Sequence, residues 1–163
     1  MSKEIFVGQK GDIAVVDDED YEKLSKYKWN IFRSSKHRPT YAIRRWDENG
    51  IRKSQYMHAM ITGFDLTDHI NHNGLDNRKS NLRFSTHSQN HANVPKQRGN
   101  YSSKYKGLTW IKTRNKWQVQ IKVQGVRKYS GYFSDEIDAA RMYDYLALKY
   151  FGEFAYTNFK EIK

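Results

Sequence analysis

The chain has 163 residues, 29 Lys and Arg against 18 Asp and Glu for a formal net charge of +11, and 15% aromatic residues. That length allows one medium domain or two small ones, and the aromatic content separates the chain from the disordered class despite its polarity. There is no cysteine, so disulfides, a thiol nucleophile and a Cys-based zinc site are excluded; no apolar run approaches the ~18 residues of a membrane span.

The N-terminus, Met1-Ser2-Lys3-Glu4, lacks the apolar core of a signal peptide, and a cytoplasmic location is expected. Residues 5–16 hold two short apolar runs around a Gly-containing turn, a hairpin signal. Asp17–Asp20 reads as the cap of a short helix over Tyr21–Tyr27 that leads to Trp29, with metal binding as the alternative for that acidic run. Residues 39–46 and 51–57 read as strands flanking the turn Asp47-Glu48-Asn49-Gly50, so the first part is a small, mainly β unit. His58-Ala59-Met60-Ile61 leads to a turn at Gly63, and a stretch dense in His and Asn follows. Such density implies irregular backbone held by local side-chain hydrogen bonds, with a short helix near Ser85–Asn93.

Residues 94–104 are polar with Pro and Gly and read as a linker. Three strands follow at 107–111, 116–123 and 127–132. In the middle one Trp117, Val119 and Ile121 face one side while Gln118, Gln120 and Lys122 face the other. Ser134 reads as an N-cap, with Asp135 and Glu136 in the first helical turn and Gly152 as the stop. Ile137, Ala140, Tyr143, Ala147 and Tyr150 recur at helical spacing and should pack on the Trp117 stripe, leaving a polar, basic sheet face uncovered.

The charge is uneven. Residues 1–76 hold 12 basic and 12 acidic side chains, residues 77–134 hold 13 basic and no acidic ones, and residues 135–163 hold 4 basic and 6 acidic ones. A long acid-free segment of strands and loops suits nucleic acid, with a solubilising surface or an anionic membrane as the bland alternative.

Asp68-His69 is the first pair that carries chemistry; Asn81 follows 12 residues after His69 and Asn90 follows 21 after it. Phosphodiester hydrolysis needs a base for water, a cation against the charge on the phosphorane and leaving oxygen, and something to hold the base. Neutral His suits the first role near pH 7, and a carboxylate with an amide oxygen suits a hard cation such as magnesium or manganese.

Residues 68–90 resemble the HNH endonuclease motif of homing and phage-type enzymes, in the variant that ends in Asn, through DHIN, LDNRKSNLR and SQN. The resemblance implies that His69 is the general base, that Asp68 and Asn90 bind one divalent ion (Mg2+ or Mn2+), and that Asn81 orients His69 through bonds within the loop. His58 matches a recurrent His before the motif. The first 55 residues resemble, with weaker marks, the β-rich leader of such nucleases. Residues 105–159 resemble the DNA-binding domain of plant ethylene-response factors, through the Lys106-Gly107 start, the KW strand, SGYF, the AAxxYD helix and the closing FGEFAYTNF. That implies a three-stranded sheet backed by one helix and lying in the major groove. Where the plant domain carries Arg on its first strand, this chain has Thr109, Ile111 and Thr113 as outward positions. Gln118, Gln120, Lys122, Arg127 and Tyr129 remain suited to base contact, while Lys106, Lys112, Arg114 and Lys128 suit phosphates.

The remaining histidines divide. His72 is a phosphate contact or a surface residue, His87 an alternate metal ligand, and His37 and His91 surface residues; the His spacings show no closed tetrahedral zinc pattern. Trp110 and Trp117 are open to base stacking, although Trp117 lies on the apolar stripe.

The expected fold class is α+β: a β-rich leader (1–55) within a ββα-metal nuclease domain (1–93), a linker (94–104), and a sheet-plus-helix DNA-binding domain (105–163). The expected function is metal-dependent, sequence-preferring cleavage of duplex DNA by a monomer or weak dimer that does not engage membranes. The alternatives are a DNA-binding regulator on a non-catalytic HNH scaffold and an RNA-binding protein.

Overall fold

The computed structural model describes residues 1–33, 40–96 and 99–160. His37, Pro39 at the start of an expected strand, and Gln97-Arg98 of the expected linker lie outside the described residues. The chain forms two compact units, Met1–Ser85 and Thr86–Lys163, built from small antiparallel sheets and short helices in an α+β arrangement.

In the first unit, β1 (Ser2–Val7) and β2 (Asp12–Asp17) form the expected hairpin. Helix α1 runs over Asp18–Leu24, earlier than the sequence suggests. The acids Asp18, Glu19 and Asp20 occupy its first turn, where they favour the helix dipole, rather than preceding it. Asp17 stands at the N-cap, but its Oδ2 accepts the Lys79 backbone N–H at 2.7 Å instead of capping the helix. Asp18 pairs with Lys3 and Glu19 with Lys79, which accounts for the acidic run without a metal.

Strands β3 (Asn30–Arg33), β4 (Thr40–Glu48) and β5 (Ile51–Tyr56) form a sheet in that order. The segment His58–Ile61, which the sequence leaves unassigned before its turn at Gly63, lies in helix α2 (Met57–Thr62), which buries Met57, His58 and Ala59. It is under two turns long, too short for a periodic signal in the sequence. Strands β6 (Thr67–His69) and β7 (Leu82–Phe84) pair antiparallel, with Asp68 opposite Arg83 and His69 opposite Leu82. The core gathers Ile5, Val7, Ala14, Val16, Leu24, Trp29, Ala42 and Met57. Trp29 meets its polar need there by donating Nε1–H to the Leu24 carbonyl at 2.8 Å.

The second unit starts with α3 (His87–Asn93), which a reciprocal Thr86–Gln89 capping box begins. Strands β8 (Leu108–Ile111), β9 (Lys116–Val123) and β10 (Val126–Phe133) form a sheet with β9 central, backed by helix α4 (Glu136–Phe151). The N-cap of α4 is Asp135 and not Ser134: its Oδ1 accepts N–H groups of Ile137 and Asp138 at 2.7 and 2.9 Å. Of the expected stripe, Ile137 in the first turn is 45% exposed, while Ala140, Tyr143 and Ala147, joined by Ala139 and Leu146, meet Leu108, Val119 and Ile121 in the core.

The conspicuous residues of this segment form one network. Asp144, fully buried, accepts N–H bonds from Asn158 and Phe159 and the Asn158 amide, all at 2.8–2.9 Å. Asn158 Oδ1 in turn accepts the Lys106 N–H at 2.7 Å. Gly107 sits at φ +82°, and a Cβ there would lie 1.9 Å from the Tyr143 ring. The KG start, the YD of the helix and the closing TNF are therefore one closure around α4.

Helix α3 is built into this unit. Lys106 Nζ donates to the carbonyls of His91, Ala92 and Val94 at 3.3, 2.6 and 2.6 Å. Tyr156 N–H reaches the Ala92 carbonyl at 3.1 Å, and Ser88 Oγ accepts the Gln124 N–H at 3.2 Å. A lysine on the last helical carbonyls satisfies acceptors that the helix itself leaves open.

Candidate functional site

In the first unit, strand β2 lends its edge to the loop between β6 and β7. Val15 N–H donates to the Leu75 carbonyl at 2.8 Å, and Asn77 N–H donates to the Val15 carbonyl at 2.7 Å. Gly74 lets the loop lie on β4, since a Cβ there would stand 2.4 Å from the Thr40 carbonyl oxygen. Within the loop, buried Asp76 accepts from Arg78 at 2.8 and 2.6 Å and from Asn71 Nδ2 at 2.8 Å. Asn81 fastens the same loop: its Oδ1 accepts the Asn71 N–H at 2.9 Å and its Nδ2 donates to the Asp76 carbonyl at 2.7 Å.

His69 ends β6 and is buried. Asn77 is hydrogen-bonded to it, with Oδ1 3.3 Å from Nε2. The expected orienter Asn81 thus acts through the loop backbone, while Asn77 touches the ring. Asn77 is one of four Asn, with one Asp, between positions 71 and 81, and nothing in the spacing singles it out. Tyr41 and His58 close the ring in, at centroid distances of 5.6 and 5.1 Å. His58 is itself buried and stacked on Tyr56 at 5.1 Å. Burial pushes the His58 imidazole down to about 3, with His69 adding to the effect. Burial also lowers His69 below its ordinary value, against the Asn77 hydrogen bond and the Asp68 and Asp76 charges that raise it. A base kept neutral in this way remains ready to accept a proton.

Asp68 points to the other face of the two-stranded ribbon. Its Oδ2 accepts from Arg83 Nε at 2.9 Å and lies 2.8 Å from Nη2 as an ion pair, and both side chains are nearly buried. Arg83, unremarked in the sequence, is the direct cross-strand partner of Asp68. Among the described residues no group of three or more His, Asp or Glu side chains is arranged to hold a metal ion. Asp68, committed to Arg83 and nearly buried, would offer a hard cation a single carboxylate, so most of the ion's ligands would have to come from water and substrate phosphate. His72, at φ 63°, donates its N–H to the His69 carbonyl at 3.0 Å and is exposed. In the second unit Asn90 stands half-buried on α3, and His87 and His91 are exposed on the same helix.

The outward sheet face of the second unit differs from expectation at three residues. Register shifts between Arg127 and Tyr129, a bulge at Lys128, so Tyr129 pairs with Ile121 and packs into the core instead of facing out. The outward row of β10 is Arg127, Ser130 and Tyr132, opposite Lys122, Gln120 and Gln118. Thr113 leaves the strand for a short 3₁₀ turn, Lys112–Arg114, while Thr109 and Ile111 lie on the outward face opposite Gln118 and Lys116. Lys106 is a helix cap and not a phosphate contact; burial pushes its ammonium down to about 8. Lys112, Arg114, Lys122, Arg127 and Lys128 are exposed. Gln118 Nε2 donates to Ser130 Oγ and the Tyr132 hydroxyl at 3.3 and 3.1 Å, and the Arg114 guanidinium lies 4.5 Å over the Tyr132 ring. Trp110 meets Trp117 edge-on at 4.9 Å, half-buried like its partner.

An uncharacterized HNH endonuclease of Acanthamoeba polyphaga mimivirus is 30% identical over 149 residues, covering 91% of this chain and 76% of the viral protein. The chain belongs to the HNH endonucleases. Over 58 residues, 36% of its length, this HNH endonuclease is also 45% identical to an AP2/ERF and B3 domain-containing protein of Oryza sativa subsp. japonica, of which the match covers 16%. No protein-family model matches the chain, and no solved structure matches it. No helix among the described residues is long and apolar enough to cross a membrane.

Proposed function

We propose that the chain is a metal-dependent endonuclease that hydrolyses phosphodiester bonds of duplex DNA, in the manner of homing or phage-type enzymes, with sequence preference supplied by its second unit. The observation that carries this reading is a buried imidazole, His69, held by Asn77 beside an ion-paired carboxylate, Asp68, on a ribbon that β2 and Asn81 brace.

In the tautomer whose Nε2–H donates to Asn77 Oδ1, the lone pair of His69 would lie on Nδ1, the atom that would take the proton of the attacking water. Asp68, held by Arg83, would hold one divalent ion, and the resemblance alone adds Asn90 as a further ligand. When bound, that ion offsets charge on the phosphate and the leaving 3′ oxygen. Tyr41 and His58 pack against the ring and limit its exposure to bulk water. The products carry 5′-phosphate and 3′-hydroxyl ends. The second unit's outward face, with Gln118, Gln120, Lys122 and Arg127, offers the duplex amide groups for base edges and cations for phosphates.

The test is nicking of supercoiled plasmid with magnesium or manganese against a chelator. Nicking should need the metal, and His69→Ala should abolish it while a gel shift shows binding intact. Equal cleavage by His69→Ala overturns the assignment, and metal-independent binding without any cleavage favours the regulator on an inert scaffold.

A further inference from the structure

Two phenylalanines beside the site are not used by the core. Phe64 and Phe84 are 53% and 58% exposed and pack edge-on against each other, ring centroids 5.3 Å apart. Phe84 pairs with Thr67 across the ribbon, as Leu82 pairs with His69, so Phe84 and His69 belong to the same face. Ile70, the residue after His69, is 43% exposed as well.

Two exposed rings packed on each other offer an apolar contact beside the site, and the area available limits what can use it. A Phe side chain buries about 150–250 Å² in full, so two half-exposed rings offer roughly 200 Å², against the ~800 Å² per partner of a stable protein interface. A second protein chain or copy is therefore poorly served, whereas a base step takes a wedge of this size. The spacing also fits. Two strand residues separate Phe84 from the position opposite His69, about 7 Å, which corresponds to about two steps of stacked bases at ~3.4 Å each.

We propose that Phe64 and Phe84 form a wedge that enters duplex DNA within about two base steps of the phosphate at His69 and unstacks it. The inference rests on the nuclease reading for its substrate. Unstacking frees the sugar-phosphate at the adjoining step from regular helical geometry, so that the phosphate can turn toward a base recessed among Tyr41 and His58.

The experiment uses the full chain carrying His69→Ala, without divalent metal, on relaxed closed-circular plasmid treated with a type IB topoisomerase. The parent should shift the topoisomer distribution in proportion to bound protein. Phe64→Ser/Phe84→Ser should lose most of that shift at equal bound fraction, and Phe84→Gln alone should give an intermediate shift, with circular dichroism matching the parent. Should the double variant fail to fold, the single variant decides the matter. No shift by the parent, or equal shifts by parent and folded variants, overturns the wedge. Nicking of supercoiled plasmid by the unmodified chain with magnesium is scored separately: nicking without unwinding removes the wedge alone, and unwinding without nicking removes the catalytic reading alone.

Discussion

Replacing Arg83 with Met takes the Nε–H donor at 2.9 Å and the guanidinium charge, with Nη2 at 2.8 Å, away from Asp68 Oδ2. It leaves a carboxylate whose side chain is only 9% exposed. Breaking a buried pair by removing one partner costs about 3–5 kcal/mol, against ~0–1 kcal/mol for a surface pair. With typical urea slopes of about 1–3 kcal/mol per molar, the first unit's midpoint should fall by roughly 1–5 M, read by hydrogen exchange of its amides. The double variant Asp68→Ala/Arg83→Met removes both charges and should lie well above the sum of the single losses, with a coupling of about 1–3 kcal/mol. A loss for Arg83→Met under ~1 kcal/mol, or strict additivity, refutes the view that the pair is held out of water. Arg83→Lys, a point charge in place of a fork, should recover only part of the loss.

His58 predicts a pH dependence of stability. Its folded imidazole titrates at about 3, below the ordinary 6.5, so the unfolded chain binds more protons between those values. Stability should therefore fall as pH drops through 6.5 toward about 3, by about 1.4 kcal/mol per unit for one such group. Urea midpoints between about pH 4 and 7 should show a shallower slope for His58→Phe, the remainder coming from His69, which is shifted the same way. Gly107→Ala combines a positive φ with a collision on Tyr143 and should cost about 2–5 kcal/mol in a thermal melt; an unchanged melt would contradict the tight closure around α4. Lys122→Ala/Arg127→Ala should weaken duplex binding and lower the salt slope by about one to two units, and an unchanged slope would show that the outward face is not the DNA face.

The elements with regular alternation were legible from the residues: β1 and β2, β4 and β5, and β9, where Trp117, Val119 and Ile121 keep one face. What escaped has local causes. The bulge at Lys128 inserts one residue into an otherwise regular strand, and every side chain after it changes face, Tyr129 first. Strand β3 gains its place by pairing with β4, which its own four residues do not announce. At the site, Asp68, His69 and Asn81 stand out by type and spacing, but Asn77 and Arg83 do not, because their importance comes from loop closure and cross-strand register. Lys106 looked like another cation of the basic segment; only the three carbonyls around it reveal a structural role.

That lysine also decides where this protein can be cut and grafted. A chimera that exchanges the recognition module at the polar stretch 94–104 would part Lys106 from the carbonyls of His91 and Ala92, leaving a buried ammonium without acceptors and a helix end without donors. The transplantable cassette begins at Thr86, and it takes Asn90 with it. On the proposed reading, in which Asn90 serves the metal and the second unit reads the duplex, a specificity borrowed from a relative would arrive with that relative's own last motif residue, and a module swap would alter cutting as well as recognition.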